Sequence, residues 1–143
     1  MRHLLDINVL IALMDPDHAF HQRAHAWWCI QKRAWASCPL TENGLLRIMA
    51  SAAYSKSTHF TVTNIAALLS SFASNSDHHF WPDSLSIRDQ QYFHHGSILS
   101  SKHLTDLYLL ALAVEHQGSL VTFDQHIPLN AVPTASATHL VVI

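Results

Sequence analysis

Four of the ten acidic residues stand amid apolar sequence where strands end or helices begin: Asp6, Glu42, Asp106 and Asp124. A carboxylate is both a hard oxygen donor and an acid–base group, so its surroundings decide its chemistry. Singly, each has a plain structural account. Asp6 and Asp124 are turn formers after short apolar runs, while Glu42 and Asp106 are favourable charges in first helical turns, stabilising by about 0.3–1 kcal/mol each. The other six (Asp15, Asp17, Asp77, Asp83, Asp89 and Glu115) lie in polar or turn-like stretches or a late helical turn, where solvated roles suffice.

Jointly the four demand more. In an open α/β sheet, right-handed crossovers bring the ends of these elements to one edge, where four carboxylates repel one another in a partly dry crevice. A divalent cation removes that conflict. Mg²⁺ or Mn²⁺ typically takes one or two carboxylates, keeps several waters and accepts substrate phosphate oxygens. The chemistry implied is metal-assisted phosphodiester hydrolysis, the ion stabilising charge on the scissile phosphate and making bound water a better nucleophile. No competing covalent nucleophile stands out. Nearby, Asn8 can approach the metal through its carboxamide or cap a helix, and Thr122 can bond a carboxylate or pack as a strand residue. Thr41 and Thr105 read as N-caps beside acids.

The elements that must position these groups follow from periodicity. His3 to Leu5 is a buried strand, and Val9 to Leu13 a helix capped by Asn8. After the turn at Asp15-Pro16-Asp17, the stripe Phe20, Ala24, Trp27 and Trp28 predicts a long helix from His18 to about Ala34. Trp35 to Pro39 is a second strand, and Thr41-Glu42-Asn43-Gly44 opens a helix whose apolar face is Leu45, Ile48 and Met49. Ser51 to Thr61 connects to a helix over Thr63 to Phe72, with a loop over Ser70 to Asp77. His79-Phe80-Trp81 is a third strand stopped by Pro82, and Arg88 to Phe93 a short helix. Thr105 to Val114 is apolar nearly all round, a buried central helix that Gly118 ends in the left-handed conformation. Leu120 to Phe123 and His139 to Ile143 complete the strands. Strands alternating with helices predict a parallel sheet covered by helices on both faces.

With 143 residues, 49% apolar and 13% charged, the chain is expected to form one domain, 1–143, with a sizeable core. A formal charge of −2 gives no general attraction to nucleic acid, so any phosphate partner must be met locally. Without a membrane-length apolar run or a signal peptide, the expected location is the cytoplasm, and Cys29 and Cys38 read as reduced, packed thiols. Among 13 histidines, His21 and His25 form an i, i+4 pair able to bind Zn²⁺, but the pattern lacks a third ligand. His78, His79, His94, His95, His103 and His126 read as RNA contacts or surface groups. Trp81 reads as core rather than a base-stacking platform.

The blocks LLDINVLIAL, PLTENGLLRI, HFWPD and LTDLYLLALAVEHQGSLVTFDQHI resemble those of PIN-domain ribonucleases, specifically the VapC-type toxins of toxin–antitoxin pairs, and the likeness runs almost the whole chain. The resemblance implies a three-layer α/β/α fold with a parallel sheet of about four or five strands. It implies Mg²⁺- or Mn²⁺-dependent endoribonuclease activity leaving a 3′-hydroxyl and a 5′-phosphate, inhibition by a small cognate antitoxin, and a homodimer. Asp6, Asp106 and Asp124 correspond to metal ligands, direct or through water. Glu42 either binds metal or orients the attacking water. Arg47 resembles an Arg of this subfamily and either grips an RNA phosphate or pairs with a carboxylate. Many relatives place Thr or Ser between the first Asp and Asn, where this chain has Ile7, so one hydroxyl is lost and no carboxylate. The alternatives are a catalytically silent module that holds RNA or antitoxin, and a haloacid-dehalogenase-type phosphatase. The latter needs a second Asp where this chain has Asn8.

Overall fold

Alternation in the strands decides the architecture. Leu4, Ala36 and Leu120 enter one apolar core, whereas their chain neighbours Leu5, Trp35 and Val121 enter another, as the period of two along a strand requires. The computed structural model describes residues 1–30 and 34–143. Its five strands are β1 (His3–Leu5), β2 (Ala34–Ser37), β3 (Asp77–Phe80), β4 (Ser119–Thr122) and β5 (Leu140–Val142), all parallel in the order β3-β2-β1-β4-β5. One face is covered by α1 (Ile7–Met14), α2 (His21–Cys29), α3 (Pro39–Met49) and α4 (Val62–Ser74), which share a core with Leu5, Trp35 and Val121. The other is covered by α5 (Leu104–Glu115), together with Trp81, Phe93 and Ile127. This is the expected three-layer α/β/α sandwich.

Strand order creates the crevice. The chain steps outward from β1 through β2 to β3, then returns to lay β4 on the other side of β1. The connections leaving β1 and β4 therefore diverge, and the gap between them at the carboxyl edge is where open α/β sheets bind ligands. The opposite edge is tied shut. Arg2 donates to the carbonyls of Trp35 (3.0 Å) and Asp77 (2.9 Å) and pairs with the Asp77 carboxylate at 2.9 Å, stitching β1, β2 and β3 together.

Several local expectations are corrected. The N-cap of α1 is Asp6, whose carboxylate accepts from the Ile7 N–H, while Asn8 is exposed within the helix. Cys38 occupies the cap position of α3, and Thr41 sits at its third residue, accepting from the Cys38 N–H at 2.9 Å. His103, not Thr105, precedes α5. The helix expected from His18 to Ala34 spans His21–Cys29, Ala34 belongs to β2, and residues 31–33 of that expectation lie outside the described residues. The aromatic stripe alone carried that longer reading. Of the expected loop 70–77 only residues 75 and 76 remain a turn, the rest belonging to α4 and β3, and residues 88–93 form turns rather than a helix. Asp15 is not solvated: it is buried and accepts from Tyr54 Oη at 2.5 Å, tying the α3–α4 connection to the end of α1. Cys29 is exposed, whereas burial pushes the Cys38 thiol up to about 11, leaving it protonated. Trp81 is core, stacked on His116 with centroids 4.2 Å apart. No helix among the described residues is long and apolar enough to cross a membrane.

The end of α5 also departs from expectation. Gln117 takes the left-handed conformation (φ 54°), and Gly118 does not. Gly118 is required for proximity: a Cβ there would lie 2.5 Å from the Arg2 carbonyl oxygen and 2.9 Å from the Trp81 ring. Backbone on one side and a packed indole on the other cannot both give way. Gly118→Ala is therefore expected to destabilise the protein by about 1–3 kcal/mol, read as a lower urea midpoint with an unchanged m-value.

Candidate active site

Thr122 is the hinge of the constellation. As the last residue of β4 it is fully buried, and its hydroxyl donates to Asp6 Oδ2 at 3.0 Å while accepting from the Asp124 N–H at 3.1 Å. One side chain thus joins two acids that lie far apart in sequence. Asp6 directly follows β1, and its other oxygen accepts from the Ile7 N–H at 2.7 Å. Asp124 Oδ1 accepts from the His126 N–H at 2.7 Å, which turns the chain away from the sheet. Asp106 enters from the other layer, in the first turn of α5. Its Oδ2 and Asp124 Oδ2 each lie 3.9 Å from His103 Nδ1, and the candidate ligand atoms of His103, Asp106 and Asp124 all fall within 4.8 Å of one another.

The electrostatics register this crowding. Burial, then the charge on Asp106, pushes the Asp6 carboxyl up to about 6; the bonds from Thr122 and Ile7 oppose the rise, and Asp124 adds to it. Asp106 is likewise raised, first by burial and then by Asp124, with His103 opposing. Carboxylates held in this way have oxygen lone pairs and negative charge in excess of what the protein satisfies. The donor set suits a hard divalent cation, and the shielded, unbonded Nδ1 of His103 is a further donor beside it.

Three of the four sequence-predicted acids, Asp6, Asp106 and Asp124, are thereby brought together. Glu42 shares the carboxyl edge, at the start of α3, but it is engaged elsewhere: Ser37 Oγ donates to its Oε1 at 2.6 Å. That serine is also 2.8 Å from His78 Nε2. Burial lowers the His78 pKa, so the ring is neutral at pH 7. With the Ser37 proton on Glu42, the network assigns a proton to His78 Nε2. Ser37 was not singled out in the sequence, and no local signal marks it. Arg47 is exposed on α3 beside Asn43, Leu46 and Val62 and pairs with no carboxylate among the described residues, which removes the expected ion pair. His103 is half-buried rather than a surface group. Its i, i+3 spacing from Asp106 on an incoming helix was the available clue. His21 Nδ1 lies 2.7 Å from the Ala12 carbonyl oxygen, and no third ligand joins it and His25 among the described residues. Beside the acids opens a cavity of about 400 Å³, lined in part by Ser100, His103, His126 and Asn130.

The raised Asp6 carboxyl has a thermodynamic consequence in metal-free protein. A folded-state pKa of about 6 against an ordinary 3.8 disfavours ionisation in the fold. The stability it contributes is complete below about pH 4 and is lost as pH rises through 6. The difference corresponds to roughly 3 kcal/mol at neutral pH. In EDTA at pH 7.5, Asp6→Asn is expected to raise Tm by about 5 °C or more. The gain should vanish near pH 4, as read by thermal denaturation at both pH values.

Comparison with known proteins agrees with this architecture. Residues 3–132 match the PIN domain family. The chain is 45% identical to Ribonuclease VapC44 of Mycobacterium tuberculosis over 98% of both chains, and 35% identical to Ribonuclease VapC39 of the same organism over 87% of this chain and 89% of that one. The crystal structure of VapBC2 from Rickettsia felis, bound to a DNA fragment from its promoter, contains a chain that superposes with a TM-score of 0.53. At 14% identity, covering 100% of this chain and 98% of that one, this is a likeness of fold alone. By the extent of the family match and the identity along nearly its full length, the chain belongs to the PIN-domain family, in its VapC branch.

Proposed function

We propose that this protein is a divalent-metal-dependent endoribonuclease, the toxin of a toxin–antitoxin pair, and that Asp6, Asp106 and Asp124 hold the ion. The observation that carries the reading is the crowding of acids in one partly buried crevice: Asp106 of α5 and Asp124 after β4 meet with their candidate ligand oxygens within 4.8 Å, and Asp6 after β1 lies close enough to feel the charge of both. A site that only gripped RNA would gain nothing from clustered negative charge. When bound, Mg²⁺ or Mn²⁺ supplies the charge that neutralises the scissile phosphate and activates a water.

The chain's own residues do the rest. Thr122 fixes the Asp6 carboxylate and the start of the Asp124 turn, so both acids keep their orientation when the ion is absent. Glu42, held by Ser37 and backed by neutral His78, is placed at the same edge to orient the attacking water and receive its proton. Attack forms a new oxygen–phosphorus bond as the bond to the 3′ oxygen breaks, and that oxygen takes a proton from solvent, leaving a 3′-hydroxyl and a 5′-phosphate. The cavity beside His103 and His126 offers room for a nucleotide next to the scissile bond. The branch to which the chain belongs supports a small antitoxin as protein partner, a homodimer as the working form, and the cytoplasm as its place of action.

Purified protein should cleave RNA with added Mg²⁺ or Mn²⁺ and stop in EDTA. Asp106→Asn is expected to lower the rate by at least about a hundredfold, and Thr122→Val by about 10–100-fold, with circular dichroism unchanged. Equal cleavage by wild type and Asp106→Asn in a gel assay would refute the mechanism.

A further inference from the structure

A ring nitrogen shut away from water without a hydrogen bond is uncommon, because it forfeits solvation and gains nothing in exchange. His103 carries one. Its side chain is 12% exposed, and its Nδ1 is shielded from solvent with no hydrogen-bond partner among the described residues. The atom faces Asp106 Oδ2 and Asp124 Oδ2, each at 3.9 Å. That is too long for a hydrogen bond. It is the separation expected of donors sharing one ion: ligands about 2.1 Å from a common centre stand between about 3 and 4.2 Å apart, according to the angle between them.

The backbone makes this placement systematic. His103 closes the short 3-10 turn Ser101–His103, which Ser100 caps by accepting from the Lys102 N–H, and α5 begins at the next residue. Asp106 follows His103 at the i, i+3 position, so the two side chains share a face at the helix start. Asp124 comes to meet them from the end of β4.

We propose that His103 Nδ1 is a direct ligand of the divalent ion, alongside Asp106 and Asp124. The centre is then a mixed nitrogen–oxygen site rather than an all-carboxylate one. This rests on the metal-dependent reading of the same crevice. As a neutral ligand, the ring binds through Nδ1 and keeps its proton on Nε2. Imidazole discriminates where carboxylate does not: it favours Mn²⁺ and the later transition ions, whereas Mg²⁺ prefers oxygen. His103 therefore biases the protein toward Mn²⁺.

The test uses metal-free full-length protein and Mn²⁺ or Mg²⁺ alone, without RNA. Pulsed electron paramagnetic resonance of the Mn²⁺ complex is expected to contain the ¹⁴N coupling of a bound imidazole. The coupling should disappear in His103→Gln and persist in His126→Gln, the other imidazole lining the cavity. By calorimetry, His103→Gln should weaken Mn²⁺ by at least about tenfold and Mg²⁺ by less than about threefold. Mn²⁺ that binds wild type without ¹⁴N coupling would overturn the proposal while leaving the nuclease reading intact, and so would a coupling that survives in His103→Gln. Failure of wild type to bind either ion would sink both. If His103→Gln does not fold, a wild-type spectrum without the coupling still overturns the proposal, and a coupling that persists in His126→Gln still supports it.

Discussion

Like charges in a dry crevice set the terms for this protein. Burial first, and then the charge of a neighbouring carboxylate, raises the pKa of Asp6 and Asp106, and the bonds from Thr122 and Ile7 to Asp6 and the nearby His103 oppose the rise. Such an arrangement persists only because the surrounding structure over-determines it. Strand β1 is bonded on both sides, the Asp6 N–H itself continues the ladder to the Val121 carbonyl at 3.0 Å, and α5 is buried through its middle seven residues, Leu107–Ala113. Rigid elements of this kind deliver carboxylates to a point that loops alone would let drift apart. The strain is then available to whatever binds there: an ion that neutralises the crevice recovers free energy that the metal-free fold forgoes.

The two edges of the sheet divide the work. At the amino edge, Arg2 satisfies two carbonyls and one carboxylate, and Gly118 allows the chain leaving α5 to pass close against Arg2 and Trp81. That end is packed and paired. At the carboxyl edge the reversal of strand order between β1 and β4 leaves a gap, and polar groups collect there because backbone and side chains can still reach water or a ligand. Stability and chemistry are thus separated along the strand direction.

Within the carboxyl edge the acids are not equivalent. Asp6 is nearly buried and accepts one bond at each oxygen, from Ile7 and Thr122. Asp106 and Asp124 are more open and face His103. Glu42 belongs to a second network with Ser37 and His78, in which a neutral ring, a hydroxyl and a carboxylate are chained in sequence. One group of acids is crowded by like charge, and the other is joined to a hydroxyl and a ring through hydrogen bonds.

Periodicity is a local property, and what depended on it was legible in the amino-acid sequence: the apolar doublets of β1 and β4, the all-round apolar α5, the parallel sheet between helical layers, and the placing of acids at the ends of elements. The sequence also singled out four carboxylates, three of which come together. Helix ends were less legible, because cap choice turns on backbone geometry; Asp6, Cys38 and His103 took positions expected of Asn8, Thr41 and Thr105. The partners across the crevice could be settled only by the tertiary structure. The Thr122–Asp6 bond spans 116 positions and the Ser37–His78 contact 41, so neither exists until strand order sets β4 beside β1 and β3 beside β2. His103 is the same case, an ordinary histidine in the sequence that becomes a ligand candidate only when β4 brings Asp124 to it. Element types follow from neighbours in the chain, whereas a site made at the meeting of three elements follows from topology.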